Sequence, residues 1–146
     1  MYLADYHVHS TGSPDGHLTM VEMARQGVER GLAEICFTDH VDTLHWGTTI
    51  PRSDYDWASA QHKYDAAAEQ WGGRIRLKLG AELGEAYLGF DRAAHLLDTA
   101  PPLDFIIASV HMSRDENGWF DLFYIDGDRD DAYYHAVIAR LLAGTV

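Results

Sequence analysis

The sequence predicts an α/β protein built on a parallel sheet or barrel, and two patterns carry that expectation. Four short runs rich in Ile, Leu, Val, Phe or Tyr read as strands, at residues 2–9, 33–39, 75–82 and 103–111. Segments with helical periodicity separate them, and alternation of strand and helix joins parallel neighbours through crossover helices. A third observation concerns what stands where the strands stop. His7 and His9, Asp39 and His40, Glu82, and His111 occupy those places, and all are side chains that bind metal ions.

The first run, Tyr2 to His9, ends in a His-x-His pair. Alternation with period two turns both imidazoles to the same side, within reach of one cation. The next helix opens at Thr19, with Glu22 three positions on as the partner of a capping box. Val21, Ala24 and Val28 share a face, and Gly31 closes the helix. The second run, Ala33 to Asp39, leads into His40. Residues 54–71 then form a helix with Trp57, Ala60, Tyr64, Ala67 and Trp71 along one face and Gly72-Gly73 behind it. That aromatic stripe reads as core rather than as a cofactor cradle. The third run, Ile75 to Glu82, is followed by a short helix from Asp91 to Asp98, which Pro101-Pro102 stops. After the fourth run, Leu103 to His111, a last helix extends from Asp130 to Leu142 and ends at Gly144.

Composition narrows the function. A chain of 146 residues with 47% hydrophobic and 12% aromatic content is a single domain with material for a core, not a disordered segment. No apolar stretch is long enough for a membrane span, and the N-terminus lacks the pattern of a signal peptide. The lone Cys36 sits in a strand-like run and forms no internal disulfide, so a cytoplasmic setting is expected. Twenty-three acidic against 11 basic residues give a net charge of −12, which repels a phosphate backbone and argues against nucleic acid as a partner. Nine histidines among these carboxylates suit bound cations.

In parallel α/β folds the C-terminal strand ends converge on one face, which carries the active site. A His-x-His, an Asp-His or a Glu is weak alone. Independent local causes would have to place such residues at the same end of all four strands, so a shared metal centre is the reading. Asp15, close to the first pair in sequence, is a further ligand candidate. His17, in the same turn, either adds to it or belongs to a surface loop. His45 and Trp46 follow the second strand, where substrate contact and an ordinary loop are both open. Glu85 is either a partner behind the ligands or a solvent-facing carboxylate, while His62, His95 and His135 read as helix surface or packing.

These residues together resemble the polymerase and histidinol phosphatase (PHP) superfamily, and within it are most similar to the histidinol-phosphate phosphatases. The matching stretches run from Asp5 to Ser10, Ser13 to Gly16, Thr38 to His40, Gly80 to Gly84 and Leu103 to His111. The resemblance implies that residues 1–146 are an incomplete PHP domain, the N-terminal portion, about four β/α units, of a distorted (β/α)7 TIM-like barrel. It also implies two or three divalent ions, Zn, Mn or Fe. His7 and His9 would hold the first, Glu82 would bridge to a second that His111 helps complete, and Asp15 and His40 would serve a third. Asp39 would orient a histidine from behind.

The implied reaction is hydrolysis of L-histidinol phosphate, a small phosphate monoester, to histidinol and phosphate in histidine biosynthesis. Paired cations about 3.5–4 Å apart generate hydroxide from water near neutral pH, and that metal-bound hydroxide is the implied nucleophile. The family pattern includes a later histidine and a late Asp-x-His pair, and no Asp-x-His occurs between His111 and Val146. The expectation is therefore a truncated chain whose remaining catalytic groups would lie beyond Val146. Its sheet edges would be open to self-association. Two alternatives stand beside this reading: a PHP-type nucleotide or nucleic-acid phosphoesterase, and a non-catalytic metal-binding or assembly fragment.

Overall fold

A computed structural model describes residues 1–45, 48–115, 118–122 and 131–143. It divides into two units, Met1–Ser109 and Val110–Val146. The first holds β1 (Ala4–Val8), α1 (Met20–Glu29), β2 (Glu34–Phe37), α2 (Trp57–Trp71), β3 (Arg76–Gly84), a 3₁₀ turn (Ala86–Leu88), α3 (Phe90–Asp98) and β4 (Phe105–Ser109). The four strands form one parallel sheet in the order β1-β2-β3-β4, with Glu34 opposite Ala4 and Arg76, and Gly80 opposite Phe105. Strand–helix–strand alternation thus gives the α/β half-barrel that the sequence predicts.

Local chemistry sets the helix limits. Thr19 accepts the Glu22 N–H at 3.2 Å while the Glu22 carboxylate accepts the Thr19 N–H at 2.9 Å, the reciprocal capping box. At the other end Gly31, with φ +77°, lets the chain turn back. Its N–H and that of Leu32 donate to Val28 and Gly27 carbonyls that would otherwise be unpaired. The second helix starts three residues later than expected, because Asp56 takes the cap and accepts the Ser59 N–H at 2.9 Å.

Period-two alternation then assigns the faces of the sheet. Ile35, Phe37, Leu77 and Leu79 pack with Met20 and Ala24 of α1 and Ala67 of α2, and full burial of Phe37 alone contributes roughly 1.5–3 kcal/mol. A second cluster joins Trp57 and Ala60 of α2, Leu96 of α3, Val41 and Ala81, and the Trp57 indole N–H donates to the Leu96 carbonyl at 2.8 Å. The aromatic stripe of α2 is core. The opposite face of the sheet is curled. Two strands separate β1 from β4, which in a flat sheet would hold them about 14 Å apart, yet the Tyr6 and Phe105 rings meet at 5.2 Å.

The second unit holds β5 (Met112–Asp115) and β6 (Gly118–Asp121), an antiparallel pair, and α4 (Asp131–Leu142). The sequence reading has no hairpin here, because its strands are only four residues each and too short to show a period. Trp46, Asp130 and Gly144, which entered that reading, lie outside the described residues. Among the described residues no helix is long and apolar enough to cross a membrane.

Candidate metal centre

Each strand delivers its polar end residues to one edge of the sheet. Beyond β2 the chain stays extended for a few residues: the Glu82 N–H donates to the Asp39 carbonyl at 3.0 Å and the Val41 N–H to the Glu82 carbonyl at 2.8 Å. His40 and Glu82 are therefore direct neighbours across the ladder. Curling of the sheet brings His7 and His9, from the end of β1, over the same point. The ring centroids of His7 and His9 are 5.1 Å apart, and those of His9 and His40 4.4 Å.

Glu82 is the hub. It is buried, and its Oε2 lies 2.7 Å from His9 Nε2, 3.1 Å from His7 Nε2 and 3.6 Å from His40 Nδ1. Its other oxygen accepts the Ser109 hydroxyl, which fixes the carboxylate so that Oε2 faces the imidazoles. Asp15 comes back over the cluster from the loop after β1, with Oδ2 2.9 Å from His9 Nδ1 and 3.6 Å from His40 Nε2. Two sets of ligand atoms result, His7–His9–Glu82 and His9–Asp15–His40, each with all its atoms within 4.8 Å of one another.

The donor set fits divalent cations. His9 Nε2 is buried and, among the described residues, has only the Glu82 carboxylate close by, with Oε2 at 2.7 Å. With His7 they form a set of donors that would hold a divalent ion. Without an ion, Glu82 chiefly, and Asp15 after it, hold the His9 imidazolium against the opposing effect of burial and push its pKa up to about 9. Burial alone would raise the Asp15 carboxyl. Hydrogen bonding to His9 and the charges of His9 and His40 instead hold it below the usual range. Cys36 lies outside the cluster, and burial pushes its thiol up to about 12, which leaves no thiolate to compete for an ion.

The sequence-predicted residues divide into those the fold gathers and those it does not. His7, His9, Asp15, His40 and Glu82 come together. His111 is partly buried two residues past β4, in the second unit, and its ligand role stays an expectation of the sequence pattern and of the resemblance. Asp39 is buried, but its carboxylate meets Ser10 and Ser13 rather than an imidazole. His17 and His45 are exposed and belong to neither ligand set.

Glu85 departs from the solvent-facing alternative. It is buried, its backbone is left-handed with φ 55°, and its carbonyl accepts the Thr43 hydroxyl at 2.8 Å. Asp42 was missed by the sequence reading. Its buried carboxylate lies 3.3 Å from His40 Nδ1, where it orients the ring so that Nε2 faces Asp15. The signal was available, since residues 40 and 42 share a side of an extended chain.

The chain is similar to known proteins along nearly its whole length. A family model described as the PHP domain matches residues 5–145. The chain is 28% identical over 138 residues to a histidinol-phosphatase of Lactococcus lactis subsp. lactis, a match covering 94% of this chain and 50% of that protein. Its fold superposes with a TM-score of 0.73 and 26% identity on the crystal structure of histidinol phosphate phosphatase from the same organism, complexed with zinc, L-histidinol and phosphate. That superposition covers 97% of this chain and 51% of the other, so the chain spans about half the length of the relatives it matches. The four parallel strands correspond to the N-terminal part of the relative's barrel. From residue 5 to residue 145, and so for nearly its whole length, the chain belongs to the PHP domain family.

Proposed function

We propose that residues 1–146 are part of a PHP domain that hydrolyses L-histidinol phosphate to histidinol and phosphate, as a metal-dependent phosphomonoesterase of histidine biosynthesis. The observation that carries the reading is the convergence on Glu82 of three imidazoles from two different strand ends, in a relative of a phosphatase whose structure holds zinc, L-histidinol and phosphate. In this reading His7, His9 and Glu82 hold one divalent ion, while Asp15 and His40 hold a second that Glu82 adjoins. Such ions supply Lewis acidity, which neutralises phosphoryl oxygens and makes water acidic enough to provide a nucleophile near neutral pH.

The chain's own residues do the positioning. Ser109 and the sheet fix Glu82, Asp42 fixes the His40 ring, and His7, whose side chain is 56% exposed, leaves an open side for a phosphate monoester. The net charge of −12 is compatible with an anionic substrate because bound cations reverse the local sign. Phosphate release from L-histidinol phosphate by the zinc-loaded chain, compared with a nucleotide monophosphate and a short DNA strand, tests the proposal. Preference for histidinol phosphate that a chelator abolishes is expected. Equal or greater turnover of the nucleotide or DNA would favour the other phosphoesterase reading, and stoichiometric zinc uptake with no turnover of any of them would favour a non-catalytic role.

We also propose self-association through the sheet edges. Among the described residues β1 and β4 pair on one side only, and Leu3, Phe105 and Ile106 are each 42% exposed beside those edges. Open strand edges with apolar flanks pair with other chains. Sedimentation velocity is expected to show concentration-dependent association that Ile106→Lys reduces. A strictly monomeric wild-type chain would contradict this.

A further inference from the structure

Asp39 is 4% exposed, and its carboxylate is the centre of a compact hydrogen-bond cluster. It accepts the Ser10 N–H at 2.6 Å, the Ser10 hydroxyl at 2.6 Å and the Ser13 hydroxyl at 2.8 Å. Ser13 Oγ in turn accepts the His40 N–H at 2.9 Å, and Ser10 Oγ accepts the Gly12 N–H at 3.1 Å. Backbone bonds from Ser13 N–H to the Ser10 carbonyl and from Gly16 N–H to the Ser13 carbonyl, at 2.9 and 3.2 Å, wind the segment around the carboxylate. The winding is close enough that only glycine fits at position 12, where a Cβ would lie 2.3 Å from Asp39 Oδ2.

The wound segment is the one that carries Asp15. His7 and His9 reach the cluster from the end of a strand, and Glu82 lies within one. Asp15 is exposed on a loop and has no ladder to hold it, yet its carboxylate sits between His9 and His40. A loop left to its own conformational freedom would spread that carboxylate over many positions. Asp39 removes the freedom at both ends of the gap. It ties Ser10 and Ser13 down beneath Asp15, and through Ser13 it ties the same loop to the backbone of His40.

We infer that Asp39 is the positioning residue of the Asp15–His40 half of the metal centre, acting through Ser10 and Ser13 and touching no ion itself. The inference rests on the metal-centre reading and adds that the two halves are held by different means. His7, His9 and Glu82 depend on the sheet, whereas Asp15 depends on the Asp39 cluster.

The test is a titration of the metal-free full chain with Co²⁺, followed by visible absorption, with circular dichroism as the check on folding. Wild type is expected to show two classes of site. Asp39→Asn is expected to weaken one class by about 10–100-fold, the range for loss of a residue that orients ligands, and to leave the other at wild-type affinity. Ser13→Ala, which removes only the hydroxyl between Asp39 and the His40 N–H, is expected to weaken the same class. It decides the matter if Asp39→Asn fails to fold. A general structural role would weaken both classes together. Folded variants that lose neither class, or both equally, would overturn the inference alone. A wild-type chain that takes up no Co²⁺ would overturn the metal-centre reading, and this inference with it.

Discussion

Glu82→Gln is expected to lower zinc affinity by more than the roughly 10–100-fold typical of losing a residue behind the ligands. Among the described residues, the carboxylate oxygen that lies 2.7 Å from His9 Nε2 and 3.1 Å from His7 Nε2 is the negative atom that pairs with both imidazoles. A neutral amide of the same shape supplies neither the charge nor, in one of its two orientations, an acceptor. The part-buried Ser109 contact survives, because a hydroxyl can donate to the amide oxygen or accept from the amide nitrogen. The fold should therefore stay intact while the site fails. Isothermal titration with Zn²⁺ checks the affinity. A second readout follows from the ion-free state: Glu82 is the main cause of the raised His9 pKa, so Glu82→Gln should bring the His9 ring protons, followed by NMR, back toward an ordinary imidazole titration. Unchanged zinc affinity in a folded variant would remove Glu82 from the centre.

The second large effect is a reversal in how stability depends on pH. In the ion-free chain His9 titrates at about 9 instead of 6.5. A group whose folded pKa is raised stabilises the fold fully below its unfolded pKa and loses that contribution as pH rises through its folded pKa. The ion-free chain should therefore lose at most about 3 kcal/mol of this contribution between pH 6.5 and pH 9. Zinc inverts the sign. It binds neutral imidazole, so uptake at pH 7 expels the His9 proton, and affinity should rise with pH up to about 9. Thermal unfolding across pH 6 to 9 checks both limbs. Tm should fall with pH in chelator, while the gain in Tm on adding zinc should grow. Parallel curves with and without zinc would count against coordination by His9.

Much of this centre was legible in the sequence because local periodicities place the ligands. The period-two spacing of His7 and His9, and the position of Glu82 at the end of a short strand-like run, survive any detail of packing. So do Thr19 and Glu22, whose capping box needs only the helix they start. What the sequence hid depends on contacts between segments distant in the chain. Ser10 and Ser13 look like ordinary turn residues until β2 brings Asp39 beneath them, 26 to 29 positions away. For Asp39 the family resemblance implies a partner that orients a histidine, yet the extended backbone turns it to the other side from His40, toward Ser10 and Ser13. Glu85 follows Gly84 in a segment that suggests a surface turn, but the bond from its N–H to the Ser109 carbonyl draws it inward. The β5–β6 hairpin is two four-residue strands with mixed polarity, below the length at which alternation can be recognised.

X-ray absorption at the zinc edge of the zinc-loaded, folded chain tests most directly whether side chains from separate strands share divalent ions. The prediction is a first shell of nitrogen and oxygen only, with the outer scattering of more than one imidazole, since Cys36 is buried away from the cluster and its thiol stays protonated. Zinc that washes off the folded chain, or a first shell containing sulfur, would contradict it.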